Sequence, residues 1–351
     1  MSERSSGSAS ASGRRDDSRP KAQAVGTGVV GMVLCAGLGT RLRPLTLRAP
    51  KPAVPVCGLP LVSWTLGLLA GAGASRAVVN VHHLPEAMAE AAEAGARAAG
   101  LPLAVSREPV IAGTGGALRE ARRHLEGADV IVVVNGDVLF DVDLAAALAA
   151  HRASGALATM VLLPMPAGAS YATVDVDGSG AVRRIAGRFG PGGAGLVPWH
   201  FSGVHVLSPA LLDRVPASPF ECDVNRHVYP PLMESGAVRG LVVEGYWNDL
   251  GTPARYLEAS RDVLLGRVPL ARVARASPLS GSRELAEGVR VAPGATFGDG
   301  ARLVAPCYVG AGAHVGAGAA VEDAVLWDGT ALAPGERVVH AIAAGSDRVP
   351  A

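Results

Sequence analysis

This 351-residue sequence has few cysteines, and its positive and negative charges nearly balance. The four cysteines (Cys35, Cys57, Cys222 and Cys307) are scattered and form no Cys-x-x-Cys pair. The sequence therefore predicts neither a zinc site nor a disulfide framework, and a reducing cytoplasm is the simplest setting. The formal net charge of +1 gives no reason to expect binding to nucleic acid or to a membrane surface.

Long apolar runs are missing as well, most clearly at the start of the chain. Residues 1–26 are rich in Ser, Gly, Ala, Arg and Asp, and they contain no apolar core of the kind that a secretory signal or a membrane span needs. We therefore predict a disordered tail over residues 1–26. The remaining chain is long enough for one large domain and a smaller one.

The most informative stretch follows this tail. Val29–Leu34 is apolar and rich in β-branched residues, which predicts a buried parallel strand. It leads into residues 35–41 (Cys-Ala-Gly-Leu-Gly-Thr-Arg), and Lys51 follows between two prolines. Glycines let a backbone approach a ligand closely, so the N–H groups of this loop could surround an anion. The loop matches neither the P-loop nor Gly-x-Gly-x-x-Gly, which leaves either a phosphate site made by loop backbone or a plain strand-to-helix turn.

Strands and helices alternate through residues 27–267. Apolar runs predict strands at 77–81, 101–105 and 129–134, and helical spacing is found at 61–72, 85–99 and 117–124. This alternation predicts a doubly wound, mostly parallel, Rossmann-like α/β sheet, followed at 156–207 by a β-rich stretch that would form an opposite wall. Ligands of such sheets bind beyond the carboxyl ends of the strands, where residues 37–41, residues 113–116 and Asp137 fall.

A six-residue period begins at Leu285. Apolar residues recur at Leu285, Val291, Phe297, Leu303, Val309, Val315, Val321, Trp327, Ala333 and Val339. One inward apolar residue in every six predicts a β-helix, because each coil then covers the next. The pattern resembles the left-handed β-helix of hexapeptide-repeat proteins. We therefore predict a short left-handed β-helix over residues 285–345, which could join copies of the chain into a homo-oligomer, and a linker over residues 268–284.

Two aspartates stand at the ends of predicted strands. Asp137 follows a buried strand and Gly136, and Asp249 precedes a helix for which Thr252 is the expected N-cap and Pro253 the first residue. Two carboxylates that converge from different loops suit Mg²⁺, which prefers oxygen ligands. Taken singly, each is more commonly a helix-cap or turn residue.

The glycine-rich loop carries a family resemblance. The run Gly37-x-Gly39-Thr40-Arg41-x-x-Pro44-x-Thr46, followed by Pro50-Lys51-Pro52, resembles the signature loop of the sugar-1-phosphate nucleotidylyltransferases, which make nucleotide sugars. Gly136-Asp137 and Trp247-x-Asp249-x-Gly251-Thr252-Pro253 occupy the places of that family's two magnesium-binding aspartates. The resemblance therefore implies a Mg²⁺ cofactor held by Asp137 and Asp249.

The resemblance also implies which residues bind each substrate. Arg41 and Lys51 would be the catalytic cations, with Arg41 on the leaving pyrophosphate and Lys51 between the α-phosphate and the incoming sugar phosphate. The nucleoside triphosphate would bind at Leu34, Ala36, Gly37, Gly39, Thr40, Arg41, Gly113, Thr114, Gly115 and Gly136. The sugar phosphate would bind at Lys51, Ala172, Arg188, Ser202 and Gly203.

The sugar side departs from the commoner family pattern. Tyr171-Ala172 stands where many members have Tyr-Gly, and residues 187–189 (Gly-Arg-Phe) stand where they have Glu-Lys-Pro. The charge of the missing lysine is therefore assigned to Arg188. Asn80 falls at the same predicted sheet edge as the signature loop and has no assigned role.

The implied reaction joins a nucleoside triphosphate, most simply GTP, to a sugar 1-phosphate. Mannose-1-phosphate guanylyl transfer is the leading specific activity. An N-acetylmuramate or other sugar-1-phosphate uridylyltransferase is an alternative, and a non-catalytic regulatory subunit with the same fold is another. The presence of Arg41, Lys51, Asp137 and Asp249 argues against the regulatory subunit, which would be expected to lose at least one of them.

Overall fold

A computed structural model describes residues 28–166, 168, 170–269, 279 and 281–351. The predicted tail over residues 1–26 lies outside the described residues, as does most of the predicted linker. Within the part of the chain that is described, no helix is both long and apolar enough to cross a bilayer.

The first part of the described chain alternates strands with helices. The strands are β1 Val29–Leu34, β2 Pro55–Val56, β3 Leu59–Pro60, β4 Ala74–Val81, β5 Leu103–Arg107, β6 Val130–Asn135, β7 Leu139–Asp141, β8 Ala158–Leu163, β9 Thr173–Val176, β10 Val182–Ile185, β11 Val197–Leu207, β12 Val238–Val242 and β13 Tyr246–Asn248. The α-helices are α1 Leu45–Arg48, α2 Leu61–Gly71, α3 Pro85–Ala99, α4 Gly113–Glu120, α5 Arg122–Leu125, α6 Leu144–Ser154, α7 Tyr229–Glu234 and α8 Pro253–Leu264.

The central sheet has a parallel half and an antiparallel half. Its strand order is β10-β9-β11-β6-β1-β4-β5, with β8 beside β11 and β12 beside β8. Strands β5, β4, β1 and β6 are mutually parallel, whereas β11 runs antiparallel to β6, β8 and β9. The prediction of an α/β fold with a parallel centre is confirmed, and the β-rich stretch joins the same sheet through β11.

The uniformly apolar sequence of strand β1 is explained by burial on both of its faces. Val29 and Val33 point into a core shared with Trp64 of α2, whereas Met32 points into a second core that contains Leu118 of α4. Each face of the strand is therefore buried under helices, so no position on it can be polar without losing burial.

Helix boundaries follow the sequence signals at α2, α3 and α8, but the helix predicted over 117–124 is divided, because α4 ends at Glu120 and α5 begins at Arg122. Helices α2 and α3 and the N-cap of α8 are confirmed, and Thr252 Oγ1 accepts a hydrogen bond from Arg255 N at 3.3 Å. Helix α4 begins at Gly113, four residues before the predicted start. Its first-turn N–H groups have an external acceptor, because Gly115 and Gly116 both donate to the carbonyl of Cys222.

The C-terminal part of the chain is rich in β-structure. Its strands are β14 Arg283–Ala286, β15 Val289–Val291, β16 Thr296–Phe297, β17 Arg302–Val309, β18 His314–Val315, β19 Ala320–Leu326, β20 Ala331–Leu332, β21 Arg337–Ala344 and β22 Asp347–Pro350. They form two ladders whose inner strands are parallel, β15-β17-β19-β21 and β16-β18-β20. Cys307 pairs with Val289 before it and Ala324 after it, so the chain returns to the same ladder every 17 or 18 residues.

The predicted six-residue register is correct at Val291 and again from Val309 to Val321. Val309, Val315 and Val321 are buried, but Val339 is 42% exposed and its neighbour Val338 is buried instead. The prediction is likewise wrong at Leu285, Phe297 and Ala333, which are exposed. After residue 321 the buried positions shift by one residue because the strand pairing shifts. Val304 pairs with Glu322 but Cys307 pairs with Ala324, so β17 has two residues between these pairs and β19 has one.

The C-terminal strands contact the elements that flank Lys51. Trp327 Nε1 donates to Tyr256 Oη on α8 at 2.9 Å, and Tyr256 Oη donates to the carbonyl of Pro55 at 2.5 Å. Arg48 of α1 pairs with Asp347, and Arg261 of α8 pairs with Asp323. These contacts fix the positions of α8 and of the segment that carries Lys51.

Candidate active site

Two adjoining cavities lie beyond the carboxyl ends of the central strands. The first, which we call the loop cavity, has a volume of about 400 Å³ and lies between the glycine-rich loop and the start of α4. The second, the aromatic cavity, has a volume of about 260 Å³ and lies against β11 and β13. Asn135 and Asp137 line both. Two separate ligands could therefore meet at the end of β6.

Most of the residues predicted to bind the nucleotide lie around the loop cavity. The predicted residues that line it are Leu34, Ala36, Gly37, Gly39, Thr40, Arg41, Gly113 and Thr114, together with Lys51 and Asp137. Gly115 and Gly136 do not line it. A Cβ on Gly115 would lie 2.8 Å from Cys222 Sγ, and one on Gly136 would lie 2.8 Å from Cys35 Sγ. These two glycines therefore allow close packing beneath the cavity.

Gly39 gives the loop its shape. Its φ of 59° lies in the left-handed region that residues with a Cβ rarely adopt. A Cβ here would also lie 3.0 Å from both Lys51 Cβ and Thr46 Cγ2. Thr46 Oγ1 donates to the carbonyl of Gly39 at 2.9 Å, which fixes the orientation of that carbonyl. The glycine is thus required both by conformation and by the close approach of Lys51.

A buried hydrogen-bond chain joins the two loops of the loop cavity. Cys35 N donates to Asn80 Oδ1 at 2.8 Å, and Asn80 Nδ2 donates to Glu108 Oε1 at 2.7 Å. Ala112 N donates to Glu108 Oε2 at 3.0 Å. Asn80 and Glu108 both line the cavity and are both at least 96% buried. Together they hold the loop after β1 at a fixed distance from the start of α4.

Lys51 brings the two predicted metal ligands together. Its ammonium group is buried and donates to Asp137 Oδ2 at 2.9 Å and to the main-chain carbonyl of Asp249 at 2.8 Å. Arg41 lies nearby, because a Cβ on Gly251 would lie 3.2 Å from Arg41 Nη2 and 3.1 Å from Asp249 Oδ2. Arg41 and Lys51 therefore lie with the two aspartates at the junction between the two cavities, and Arg255 Nε lies 3.5 Å from Asp249 Oδ1.

The chemistry of this junction fits a divalent cation that also binds phosphate. Carboxylate oxygens are ligands that Mg²⁺ prefers, and it commonly takes only one or two of them from the protein. Asp137 lies at the junction with its side chain 43% exposed, and Asp249 lines the aromatic cavity. Among the described residues no cluster of three or more His, Cys, Asp or Glu side chains forms an all-protein metal site. The donor set therefore suits a metal that reaches the junction together with a phosphate ligand.

The aromatic cavity is formed mainly by three rings. The His200 ring lies 4.2 Å from that of Trp247 and 4.7 Å from that of Tyr171, measured between centroids. Trp247 Nε1 donates to the carbonyl of Ser202 at 2.9 Å, which ties β13 to β11. Burial and the adjacent carboxylate of Asp249 raise the pKa of the Tyr171 phenol, which stays protonated and donates to Asp249.

The predicted sugar-side residues are only partly assembled here. Ala172, Ser202 and Gly203 line the aromatic cavity, and Asp249 lines it with them. Arg188 does not: it is exposed, and its guanidinium lies 5.3 Å from the centroid of the Phe189 ring. The structure therefore does not bring Arg188 to the position assigned to it.

Several cavity residues carry no role in the sequence-based prediction. They are Asn80, Glu108, Ile111, Asn135, Tyr171, His200, Phe201 and Trp247. Asn80 and Asn135 could have been found as polar residues at the ends of apolar strands. His200 and Glu108 show no such signal, because they occupy the cavity only through the pairing of distant segments.

Comparison with known proteins identifies a matching family model and several relatives. Residues 30–265 match the family model described as "Nucleotidyl transferase". Mannose-1-phosphate guanylyltransferase of Mycobacterium tuberculosis is 32% identical over 87% of this chain and 81% of its own length. UTP–glucose-1-phosphate uridylyltransferase of Synechocystis is 29% identical over 90% of this chain and 87% of its own. The catalytic subunit beta of mannose-1-phosphate guanylyltransferase from Xenopus tropicalis is 28% identical over 64% of this chain and 62% of its own.

Proposed function

The chain belongs to the nucleotidyl transferase family, and from this membership we propose that it transfers a nucleoside monophosphate from a nucleoside triphosphate to a sugar 1-phosphate. The products would be a nucleotide sugar and pyrophosphate. One observation carries the proposal: two cavities of different character meet at Asn135 and Asp137. A loop that offers main-chain amides and cations suits a triphosphate, and a cavity lined by aromatic rings suits a sugar.

The transfer would proceed by in-line displacement. A phosphate oxygen of the sugar 1-phosphate forms a bond to the α-phosphorus, and the bond from that phosphorus to the bridging oxygen of the β-phosphate breaks, so pyrophosphate leaves with the electron pair. Such a reaction depends on positioning and charge neutralisation rather than on covalent catalysis. Arg41 at the rim of the loop cavity would neutralise the pyrophosphate. Lys51 at the junction would draw the two reacting phosphates together.

Asp137 and Asp249 would hold Mg²⁺ at the junction. When bound, the metal would neutralise charge on the phosphate oxygens. Lys51 already places a positive charge within 2.9 Å of Asp137. That ion pair orients the Asp137 carboxylate before the substrates arrive.

Glu108 supports GTP as the nucleotide. It lines the loop cavity, and an ionised carboxylate can only accept hydrogen bonds. Its bonds to Asn80 and Ala112 use one lone pair on each oxygen, which leaves others available. Guanine presents adjacent N–H donors on its Watson–Crick edge, whereas uracil presents a single N–H between two carbonyl acceptors. An acceptor-only group therefore complements guanine.

Mannose 1-phosphate is the proposed sugar substrate, because two of the relatives described above are named as mannose-1-phosphate guanylyltransferases. A uridylyltransferase that uses another sugar 1-phosphate is the second candidate, favoured by the relative from Synechocystis. A non-catalytic regulatory subunit would also share this fold. The presence of Arg41, Lys51, Asp137 and Asp249 around one junction argues against it.

We also propose a division into two domains. Residues 27–267 would form the catalytic domain, because every residue that lines the two cavities comes before residue 252. Residues 285–345 would form a left-handed β-helix, supported by two parallel ladders that repeat every 17 or 18 residues, close to three six-residue units.

A substrate panel tests the proposed function. Purified protein is incubated with each common nucleoside triphosphate against mannose, glucose and N-acetylmuramate 1-phosphates, with and without Mg²⁺, and pyrophosphate release is measured. We expect the highest kcat/KM for GTP with mannose 1-phosphate, and only when Mg²⁺ is present. Preference for UTP would support the second candidate, and no pyrophosphate from any pair would support the regulatory subunit.

A further inference from the structure

His200 is a buried side chain whose polar atoms have no partner. It lies on β11, it is 3% exposed, and neither Nδ1 nor Nε2 has a hydrogen-bond partner among the described residues. Buried polar groups are nearly always hydrogen-bonded, because an unpaired one loses its bonds to water without replacement. An unsatisfied imidazole in the wall of a cavity therefore needs an explanation.

A second buried histidine on the same strand does have a hydrogen-bond partner, so the fold does not prevent a histidine on β11 from being paired. His205 is 5% exposed, and its Nδ1 is 2.8 Å from Tyr229 Oη. His205 faces the core that contains Tyr229, whereas His200 faces the aromatic cavity. The strand thus satisfies the histidine that packs in the core and leaves unsatisfied the one that faces a cavity.

The surroundings of His200 suit a neutral, hydroxyl-rich ligand. Burial lowers the pKa of the imidazole, so the ring is neutral at physiological pH and carries one N–H donor and one acceptor nitrogen. A sugar hydroxyl can both donate and accept, so it can pair with either nitrogen. The rings of Tyr171 and Trp247 pack around His200 and offer apolar faces to the C–H groups of a pyranose.

We propose that His200 binds a hydroxyl of the sugar in the sugar 1-phosphate, as a specificity-determining residue of the aromatic cavity. This inference rests on the proposed function. The Tyr171 ring packs against the buried imidazole, so binding of a hydroxyl at His200 requires this ring to move. Tyr171 is itself partly exposed and holds Asp249, so its movement links sugar binding to the junction where the phosphates meet.

Substrate analogues combined with a His200 variant test the proposal. The value of kcat/KM is measured for the preferred sugar 1-phosphate and for each of its monodeoxy analogues, with wild-type protein and with His200→Phe. We expect one hydroxyl whose removal lowers kcat/KM by about tenfold or more in the wild type, since a site built to bind a hydroxyl rejects the analogue that lacks it. In His200→Phe the same removal should change kcat/KM by less than about twofold. The KM for the nucleotide should be unchanged.

Two further variants separate a binding role from a structural one. His200→Phe should melt at the wild-type temperature or above, because it removes an unpaired polar group, and His200→Gln should recover part of the discrimination. His205→Phe should melt at a lower temperature because it leaves Tyr229 Oη unpaired, but it should keep the wild-type preference among the analogues.

Two results would overturn the proposal. Equal losses for every deoxy analogue in the wild type and His200→Phe would show that His200 contacts no hydroxyl, even if the enzyme is fully active. A wild-type protein that forms product from no sugar 1-phosphate would overturn the proposed function, and this inference with it.

Discussion

The two cavities differ in how the chain builds them. The loop cavity is formed at the parallel half of the sheet, and the glycine-rich loop that lines it is held by the buried hydrogen bonds of Asn80 and Glu108. The aromatic cavity is formed on the antiparallel half, and its character comes from the side chains of Tyr171, His200 and Trp247. The loop cavity should therefore be sensitive to backbone conformation as well as to its side chains, whereas the aromatic cavity should depend mainly on its side chains.

Asp137 belongs to both cavities, so its removal should have the largest effect. We expect Asp137→Ala to lower kcat by about 10³-fold or more with either substrate saturating, because it removes a proposed metal ligand and the partner of Lys51. Pyrophosphate release measures this loss. Asp129→Ala, at the opposite end of β6, is the matched control and should keep wild-type turnover. Turnover by Asp137→Ala near the wild-type value would contradict the proposed catalytic role of Asp137 at the junction.

A backbone change should affect the loop cavity selectively. We expect Gly39→Ala to lower kcat/KM for the nucleotide by about 10²-fold, because the new Cβ displaces the loop from Lys51 and Thr46. Gly155→Ala is the control: Gly155 also has a positive φ, of 64°, but open space surrounds its Cβ position. Steady-state kinetics should show an effect on the nucleotide only in Gly39→Ala. Equal kinetics in the two variants would mean that the loop backbone does not hold the nucleotide.

A side-chain change in the loop cavity should alter base preference. We expect Glu108→Gln to lower the ratio of kcat/KM for GTP to that for UTP by about tenfold or more. Glutamine replaces one acceptor oxygen with an NH2 donor, which cannot accept a hydrogen bond from the N–H groups of guanine. The measurement is a competition assay with both nucleotides. Glu86→Gln, on the exposed surface of α3, should leave the ratio unchanged. If Glu108→Gln leaves the ratio of kcat/KM for GTP to that for UTP unchanged, Glu108 does not recognise the base.

The smallest effect is expected from Trp247→Phe. It removes the bond to the carbonyl of Ser202 while keeping an aromatic ring, so we expect the KM for the sugar 1-phosphate to rise about fivefold. The KM for the nucleotide should stay the same. Trp327→Phe also removes an indole bond of 2.9 Å, but outside both cavities, and should lower the melting temperature without a selective change in the KM for the sugar. A matching rise of both KM values in Trp247→Phe would contradict the separation of the cavities.

The sequence predicts many residues of the loop cavity, although not Glu108, because local signals mark the strand ends that carry them. Strand β1 and the loop after it can be recognised from an apolar run followed by glycines, and Asp137 from its place after β6. The carboxyl ends of parallel strands share one edge of the sheet, so these local signals are enough to bring the residues together.

The aromatic cavity could not be predicted in the same way. Tyr171, His200 and Trp247 come from three segments that meet only because β11 pairs with β9 and β13 pairs with β7. Arg188 was assigned by a resemblance that this chain does not follow closely at that point, and its side chain lies elsewhere. In the C-terminal part, the six-residue register shifts by one residue after Val321, because β19 has one residue fewer than β17 between the two stretches in which they pair. Strand pairing of this kind leaves no periodic trace in the sequence.

Phosphorus NMR of a single reaction tests the central claim most directly. Wild-type protein is mixed with GTP, mannose 1-phosphate and Mg²⁺, and the phosphorus signals are followed with time. We expect the diphosphate signals of a nucleotide sugar to appear together with pyrophosphate in equal amounts, while the mannose 1-phosphate signal falls to match. Release of inorganic phosphate or pyrophosphate without a sugar-linked diphosphate would contradict transfer between the two cavities.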